Sequence, residues 1–133
     1  MNETFVCSKE QLESIEHLLT EELILLGAQH VALINLSGDL LIHVATGADK
    51  VINIRALAIL TASNYGALRQ LSKIIGEQDA SLLHLRAENG SIHVTKISSD
   101  LLLITVLGKE VSIGYFRQKI SMITSEIRSL IAV

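Results

Sequence analysis

The sequence predicts a mixed α/β fold of the α+β kind, with helices on both faces of a five-stranded antiparallel sheet. Three segments carry apolar residues every three or four positions, which is helical spacing. Five short apolar segments alternate with turn residues such as Ser-Gly-Asp and Asn-Gly, which is typical of strands joined by hairpins. Without proline, repeats or a linker, the 133 residues predict one domain over residues 1–133, with its core at about 8–131.

The composition limits the class of protein. Hydrophobic residues make up 49% of the chain and aromatic residues 3%, so we expect an aliphatic core and either two-sided burial of the sheet or an interface between copies. A net charge of −3 and few aromatic side chains argue against nucleic acid as a partner. The lone Cys7 suits a reducing compartment. Because a secretion signal and a membrane-length apolar run are both missing, we expect a cytoplasmic protein with no membrane span.

The first helix is predicted from Ser8 to Leu26 and is followed by two strands. Ser8 and Gln11 have the spacing of a capping box, and Gly27 suits a helix end. The strand segments are HVALINL and LLIHVAT, with SGD as the turn between them. The first segment is apolar at nearly every position, as in a strand covered on both faces.

The second helix is predicted to begin at Asp49, or alternatively at Asn53, and to end near Ile75. Its broad apolar face, which we expect to lie on the sheet, is interrupted by Asn64 and contains Leu57, Leu60, Leu68, Leu71 and Ile75. A stripe of small residues beside that face has four-residue spacing and consists of Ala58, Ala62 and Gly66. Tight packing on the sheet would explain the stripe. Close approach of a partner's backbone, with Tyr65 and Arg69 at its edges, would explain it too, and we favour this second interpretation.

A hairpin follows in the segment SLLHLRAENGSIHVTKI. Asn89-Gly90 predicts a two-residue type I′ turn, which sets Arg86 opposite His93. One face of the hairpin is then polar, with His84, Arg86, Glu88, Ser91, His93 and Thr95, and the other is apolar, with Leu83, Leu85, Ala87, Ile92 and Val94. The fifth strand is LLLITVL. The last helix is predicted from Ser112 to Ile131, with a stripe of Ile113, Phe116, Ile120, Ile123, Ile127 and Leu130 or Ile131.

The apolar character of the strands predicts their order. Strands one and five are apolar on both faces and belong in the centre, so short hairpins give the order 2-1-5-4-3. Strand three is then an apolar edge, which pairing with a second copy would cover. The expected dimer interface comprises Leu82, Leu83, His84, Leu85 and Arg86 of strand three with Ala62 and Gly66 of helix two.

We find no constellation of residues suited to catalysis. The glycines are scattered singly and form no phosphate-binding loop. His84 and His93 share a hairpin face without a convincing further ligand, and we expect them to be surface residues. The sequence therefore predicts a protein that is not an enzyme and holds no cofactor and no metal.

Four segments carry a resemblance to the roadblock/dynein light chain family, most of all to the bacterial single-domain members of the MglB type. They are VALINLSGDLLIHVATG, AILTASNYGALRQLSKIIGEQD, LHLRAENGSIHVTKISSDLLLITVL and SIGYFRQKI. The resemblance covers about residues 10–131. It implies a homodimer through the third strands and second helices, a small Ras-like GTPase as partner, and a role in signalling such as cell polarity. The family's first turn often carries an acidic residue where this chain has Ser37.

The resemblance implies a homodimeric, non-catalytic regulator or adaptor that binds a small Ras-like GTPase and stimulates hydrolysis by repositioning residues of the GTPase. The candidate partner-binding residues are Ala58, Ala62, Tyr65, Gly66 and Arg69. A structural scaffold that binds its partners regardless of nucleotide is the alternative. A small-molecule sensor is a third hypothesis, but it needs a pocket with converging polar groups that the aliphatic sequence does not predict.

Overall fold

The computed structural model describes residues 7–46, 52–76 and 82–131. The elements in chain order are α1 (Lys9–Leu19), a π-helical turn (Thr20–Ile24), β1 (Ala28–Asn35), β2 (Leu40–Ala45), α2 (Ile54–Ile74), β3 (Leu82–Ala87), β4 (Gly90–Lys96), β5 (Leu101–Gly108) and α3 (Ile113–Ile131). Asn53 caps α2, accepting a hydrogen bond from the Ala56 amide at 3.0 Å, as one of the two predicted starts requires. The other predicted start, Asp49, lies outside the described residues.

The five strands form one antiparallel sheet in the order β2-β1-β5-β4-β3. The predicted α+β class and strand order are confirmed. β1 and β5 lie at the centre and are buried along nearly their whole length. Both faces of such a strand are removed from water, where apolar side chains are favourable and unpaired polar ones are costly, which is why these two sequences are so uniformly apolar.

Two hydrophobic layers lie on opposite faces of the sheet. Successive residues of a strand point to opposite faces, so Val31 and Leu33 of β1 pack with α1 and α3, whereas Ala32 and Ile34 pack with α2. The layer under α1 and α3 is the larger of the two. The buried residues of α3 follow the predicted stripe and include Ile131 rather than Leu130.

The first helix departs from the prediction at its second half. The capping box is confirmed, because the Ser8 hydroxyl accepts from the Gln11 amide at 3.1 Å while the Gln11 side chain accepts from the Ser8 amide at 2.8 Å. The regular α-helix ends at Leu19 instead of continuing to Leu26, and the chain goes on as a π-helical turn. Leu23 within that turn remains fully buried, so the apolar stripe is continued in a different helical geometry.

The predicted turn of the β3–β4 hairpin is wrong. Ala87 pairs with Gly90, so the loop is formed by Glu88 and Asn89. None of the described non-glycine residues has a positive φ, and neither does Gly90, so the turn is not of type I′. Gly90 is needed for another reason: a Cβ there would collide with the carbonyl oxygen of Leu107 on β5. The register moves by two residues, which leaves the predicted polar and apolar faces of the hairpin unchanged.

His93 is a core residue and not the surface residue that we expected. Its side chain is fully buried, and its ring centroid lies 4.6 Å from that of Phe116 on α3. Its Nε2 atom is 2.8 Å from the Ser91 hydroxyl. Of the polar face, the β4 residues Ser91, His93 and Thr95 are buried beneath α3, whereas Arg86 and Glu88 are exposed.

The β1–β2 turn packs against α2. The Asn35 side-chain oxygen accepts from the amides of Ser37 and Asp39 at 3.0 and 2.9 Å, which fixes the turn. Gly38 has a φ of +88°, and a Cβ at this position would lie 2.9 Å from the Cα of Ile59. Only glycine combines that backbone angle with so close an approach to the helix.

Gly38 and Gly66 have different surroundings, and comparing substitutions at the two positions tests this packing. Gly38→Ala should lower the free energy of unfolding by about 2 kcal/mol, because it adds left-handed strain and a contact with the α2 backbone. Gly66→Ala is the matched control, since its Cβ would meet nothing within 4 Å, and it should raise the stability by up to about 1 kcal/mol because alanine favours a helix. Urea unfolding of both variants measures the difference. Similar stabilities for the two variants would contradict the packing of the turn on α2.

Candidate protein-binding surface

α2 lies on the sheet through its small residues. Ala58 is fully buried, Tyr65 is 2% exposed, and Ala62 is half-buried against the same cluster. Small side chains bring the helix backbone close to the sheet, and the Tyr65 ring packs beneath it together with Ile54 and Leu57. Of the leucine-rich face that we expected on the sheet, only Leu57 packs there, and the expectation is wrong for Leu60, Leu68, Leu71 and Ile75, which are exposed.

The leucine-rich face of α2 is instead exposed. Leu60 and Leu71 are 60% and 57% exposed. We define the apolar face of α2 as Leu60, Leu68, Leu71, Ile74 and Ile75, all exposed. Asn64 within it donates to the Leu60 carbonyl oxygen at 2.7 Å, so its amide is partly satisfied by its own helix. Soluble proteins rarely leave so many adjacent large apolar side chains in water, which marks this face as an interaction surface.

Most of the apolar face is directed toward the β3 edge of the sheet. Ile59 approaches the β1–β2 turn, and Leu68, nine residues later, is about half a turn away around the helix. That flank therefore faces the opposite side, where β3 ends the sheet. Leu85 of β3 is 64% exposed and pairs with Ile92, which packs in the layer under α2. The apolar face and the edge strand thus belong to the same side of the molecule.

The predicted partner-binding residues divide into three groups. Gly66 and Arg69 are exposed on α2. Ala58 and Tyr65 lie beneath the helix and contribute packing, so their predicted place on the open surface is corrected. Ala62 lies at the boundary between the two. Sequence reasoning found the two faces of the helix from their periodicity but assigned them to the wrong sides, and it therefore missed Leu60, Leu71 and Ile74 as surface residues.

The predicted dimer residues on β3 are described in part. Leu85 and Arg86 are exposed. The side chains of Leu82, Leu83 and His84 lie outside the described part of the structure, although their backbone forms the edge strand. His84 is directly opposite His93 in the register, and not a diagonal neighbour as predicted.

The described residues offer little for catalysis. Within residues 7–46, 52–76 and 82–131, His, Cys, Asp and Glu form no group of three that could hold a metal ion. Burial raises the pKa of the Cys7 thiol, which disfavours the nucleophilic thiolate. In the same part of the chain, no helix is long and apolar enough to cross a membrane.

His30 of β1 and His43 of β2 form a hydrogen-bonded pair on the α2 side of the sheet. They lie at the sheet edge formed by β2, away from the β1–β2 turn. His30 Nδ1 lies 3.1 Å from His43 Nε2, and the ring planes differ by 12° with centroids 5.4 Å apart. The rings thus lie side by side in nearly one plane, and one ring N–H donates to the lone pair of the other. Burial, and second the neighbouring His30, lower the pKa of His43.

The architecture defines a class: this is a roadblock-like fold, in which helices on two faces enclose a five-stranded antiparallel sheet. Among solved structures, an MglB described as having a tetrameric arrangement has a TM-score of 0.88 and 24% identity, with 98% of this chain and 96% of that chain covered. The gliding protein MglB from Thermus thermophilus has a TM-score of 0.87 and 23% identity, with 98% and 97% covered.

A more distant match is the Roadblock/LC7 domain from Streptomyces avermitilis, with a TM-score of 0.67 and 15% identity over 77% of this chain and 84% of that chain. No protein-family model matches the sequence. No curated protein matches it either. The likeness to these solved structures is a likeness of fold, and it agrees with the sequence resemblance to the MglB type.

The histidine pair predicts a dependence of stability on pH. Because the pKa of His43 is lowered in the folded protein, its contribution is fully present above the ordinary value of 6.5 and is lost as the pH falls below it. The free energy of unfolding should therefore fall between about pH 7.5 and about pH 5. Urea unfolding across this range measures the fall. His43→Gln should make it smaller, and an unchanged pH dependence in this variant would refute the assignment to His43.

Proposed function

We propose that the chain is a cytoplasmic, homodimeric and non-catalytic regulator that binds a small Ras-like GTPase. The observation that carries this proposal is the exposed apolar face of α2 beside the free edge of β3. A fold similar to that of MglB supports it. The protein supplies no catalytic residue, and any stimulation of GTP hydrolysis would act by repositioning residues of the GTPase.

Self-association accounts for one flank of α2. Pairing of β3 with β3 of a second copy would continue the sheet across the interface and satisfy the edge amides. Pairing of the two β3 strands would also place the two α2 helices side by side, so that Leu68 and Leu71 of each copy are covered. Such a contact is isologous, and each residue therefore contributes twice. One solved MglB is itself described as tetrameric, which supports assembly for proteins of this fold.

If the protein is a dimer, its mass in solution should be twice that of one chain. The wild type should have a light-scattering mass of about 29 kDa, twice the 14.5 kDa of the chain. Leu71→Lys and Leu85→Lys should shift it toward 14.5 kDa, because a buried leucine is worth about 2 kcal/mol and is lost from both copies. Leu25→Lys is the control, since Leu25 is 81% exposed after the π-helical turn, away from β3 and α2. A wild-type mass equal to one chain would rule the dimer out.

The other flank of α2 suits the GTPase. Gly66 lies almost directly above Ile59 on the helix surface, seven residues apart, on the side of the β1–β2 turn. This flank includes Arg69 and has an open surface at Gly66, where a Cβ would meet nothing within 4 Å. A partner's backbone can come close there, and an arginine at its rim suits a binding hot spot. In this proposal Gly66 and Arg69 serve the partner on one flank of α2, while Leu68 and Leu71 serve the dimer on the other.

Calorimetry with the Ras-like GTPases of the source organism tests this assignment. Gly66→Arg should weaken binding by about tenfold or more, because the side chain fills the space for the partner's backbone. The dimer mass should stay unchanged. Gly114→Arg is the matched control, being an exposed helical glycine on α3 where a Cβ would meet only the Ser112 Oγ, at 3.9 Å. Equal binding by the wild type and Gly66→Arg would contradict the assignment of this flank.

The nucleotide state separates the proposal from its alternative. A regulator should bind the GTPase loaded with a GTP analogue more tightly than the GDP form. Equal binding in both states would contradict regulation and favour a nucleotide-independent scaffold. The scaffold is a serious alternative because a wide apolar surface also suits a permanent partner.

A further inference from the structure

The sheet face opposite α2 carries a basic groove beside α3. Two adjoining clefts of about 540 and 290 Å³ share Arg117 and follow the helix. Their charged lining consists of the cations Arg86, Lys96, Lys109, Arg117 and Arg128 and the single carboxylate of Glu88. This concentration of positive charge stands out in a chain with a net charge of −3. We name these clefts together the basic groove.

α3 separates its charges between two flanks. On the flank toward the π-helical turn, Lys119 forms a salt bridge with Glu22, with Nζ and Oε2 2.9 Å apart. The flank along the groove presents Arg117 and Arg128 and, between them, hydroxyl side chains. Neither arginine forms a salt bridge with any residue in the described part of the chain, and the same holds for Arg86 and Lys109.

Arg128 is held in place by backbone groups. Its Nε donates to the carbonyl oxygen of Ile97 at 2.6 Å, and its Nη2 lies 3.5 Å from that of Lys96. A guanidinium group has five N–H donors, so donors remain after these contacts. Because the side chain is already ordered, an anion that pairs with it avoids much of the usual loss of side-chain entropy.

Two buried hydroxyls at the same place point to a ligand. Thr95 of β4 and Thr124 of α3 both line the smaller cleft and are 7% and 8% exposed. Their Oγ1 atoms have no hydrogen-bond partner among the described residues. An unpaired buried hydroxyl is unfavourable, and a polar chain bound in the groove can satisfy both hydroxyls once the cleft widens enough to expose their Oγ1 atoms.

We propose that the basic groove binds an extended acidic segment of a partner protein. Arg117 and Arg128 are eleven residues apart, or about 16 Å along the helix, which spans about five residues of an extended chain. Charges spread over that length suit several carboxylates and not one compact anion. The lining of both clefts has no aromatic side chain on which bases could stack, which argues against a nucleic acid.

The groove and the surfaces of α2 lie on opposite faces of the sheet. An acidic partner can therefore bind while α2 is covered, and the proposal does not depend on the GTPase. Loss of peptide binding and loss of GTPase binding are consequently separate results.

Fluorescence anisotropy with a fluorescein-labelled hexaglutamate peptide tests the proposal. The wild type should bind the peptide, and binding should weaken steeply between about 50 mM and about 300 mM salt. Arg117→Glu and Lys109→Glu should each weaken it by about tenfold, because each reverses a charge in the groove. Arg55→Glu, an exposed arginine on α2, is the matched control and should bind like the wild type. Circular dichroism verifies the fold of each variant.

Four outcomes of the binding experiments would overturn the proposal, and a fifth would come from competition with inorganic phosphate. The four are the absence of peptide binding by the wild type, unchanged binding in both groove variants, equal weakening in Arg55→Glu, and binding of an oligothymidylate as tight as that of the peptide. Displacement of the peptide by inorganic phosphate at equal concentration would also overturn it, in favour of a single-anion site. If one groove variant fails to fold, the other variant and the salt dependence of the wild type decide the question.

Discussion

The packing of α2 on the sheet through its small residues determines which surfaces of this protein are free. Ala58 is fully buried and Ala62 half-buried, so the helix backbone can lie close to the strands, and Tyr65 fills the layer beneath it. A helix has only one side to turn toward a sheet. Packing through the small side therefore turns Leu60, Leu68 and Leu71 outward, and the chain alone leaves apolar surface uncovered that a partner can cover.

The same constraint gives the two faces of the sheet different characters. Under α1 and α3, a large layer of aliphatic side chains around Phe116 is closed off from water. On the α2 side the layer is smaller, and it ends at the exposed Leu85 of β3. The first face is a closed core, while the second leaves exposed apolar residues that suit an interface. The basic groove lies at the border of the closed face, where α3 leaves β4 partly open.

The sequence was sufficient for the fold because its strongest signals are local. The uniform apolarity of β1 and β5 identified the central strands, and short turns then left few possible topologies. The orientation of α2 was not predictable in this way. Periodicity separates a large apolar face from a small one, but it does not say whether the large face covers the chain's own sheet or a second protein. The hairpin shows the same limit, because Gly90 lies in β4 where the backbone of β5 passes too close for a Cβ, and α3 covers His93 from outside the hairpin.

The central claim is that α2 presents its leucines outward and its small residues to the sheet. Thiol labelling of single-cysteine variants in a Cys7→Ser background tests this most directly. In dilute solution, Leu71→Cys should be labelled rapidly and Ala58→Cys only slowly, and labelling at position 71 should slow as protein concentration rises and the helix is covered. Faster labelling at position 58 than at position 71 would contradict the account.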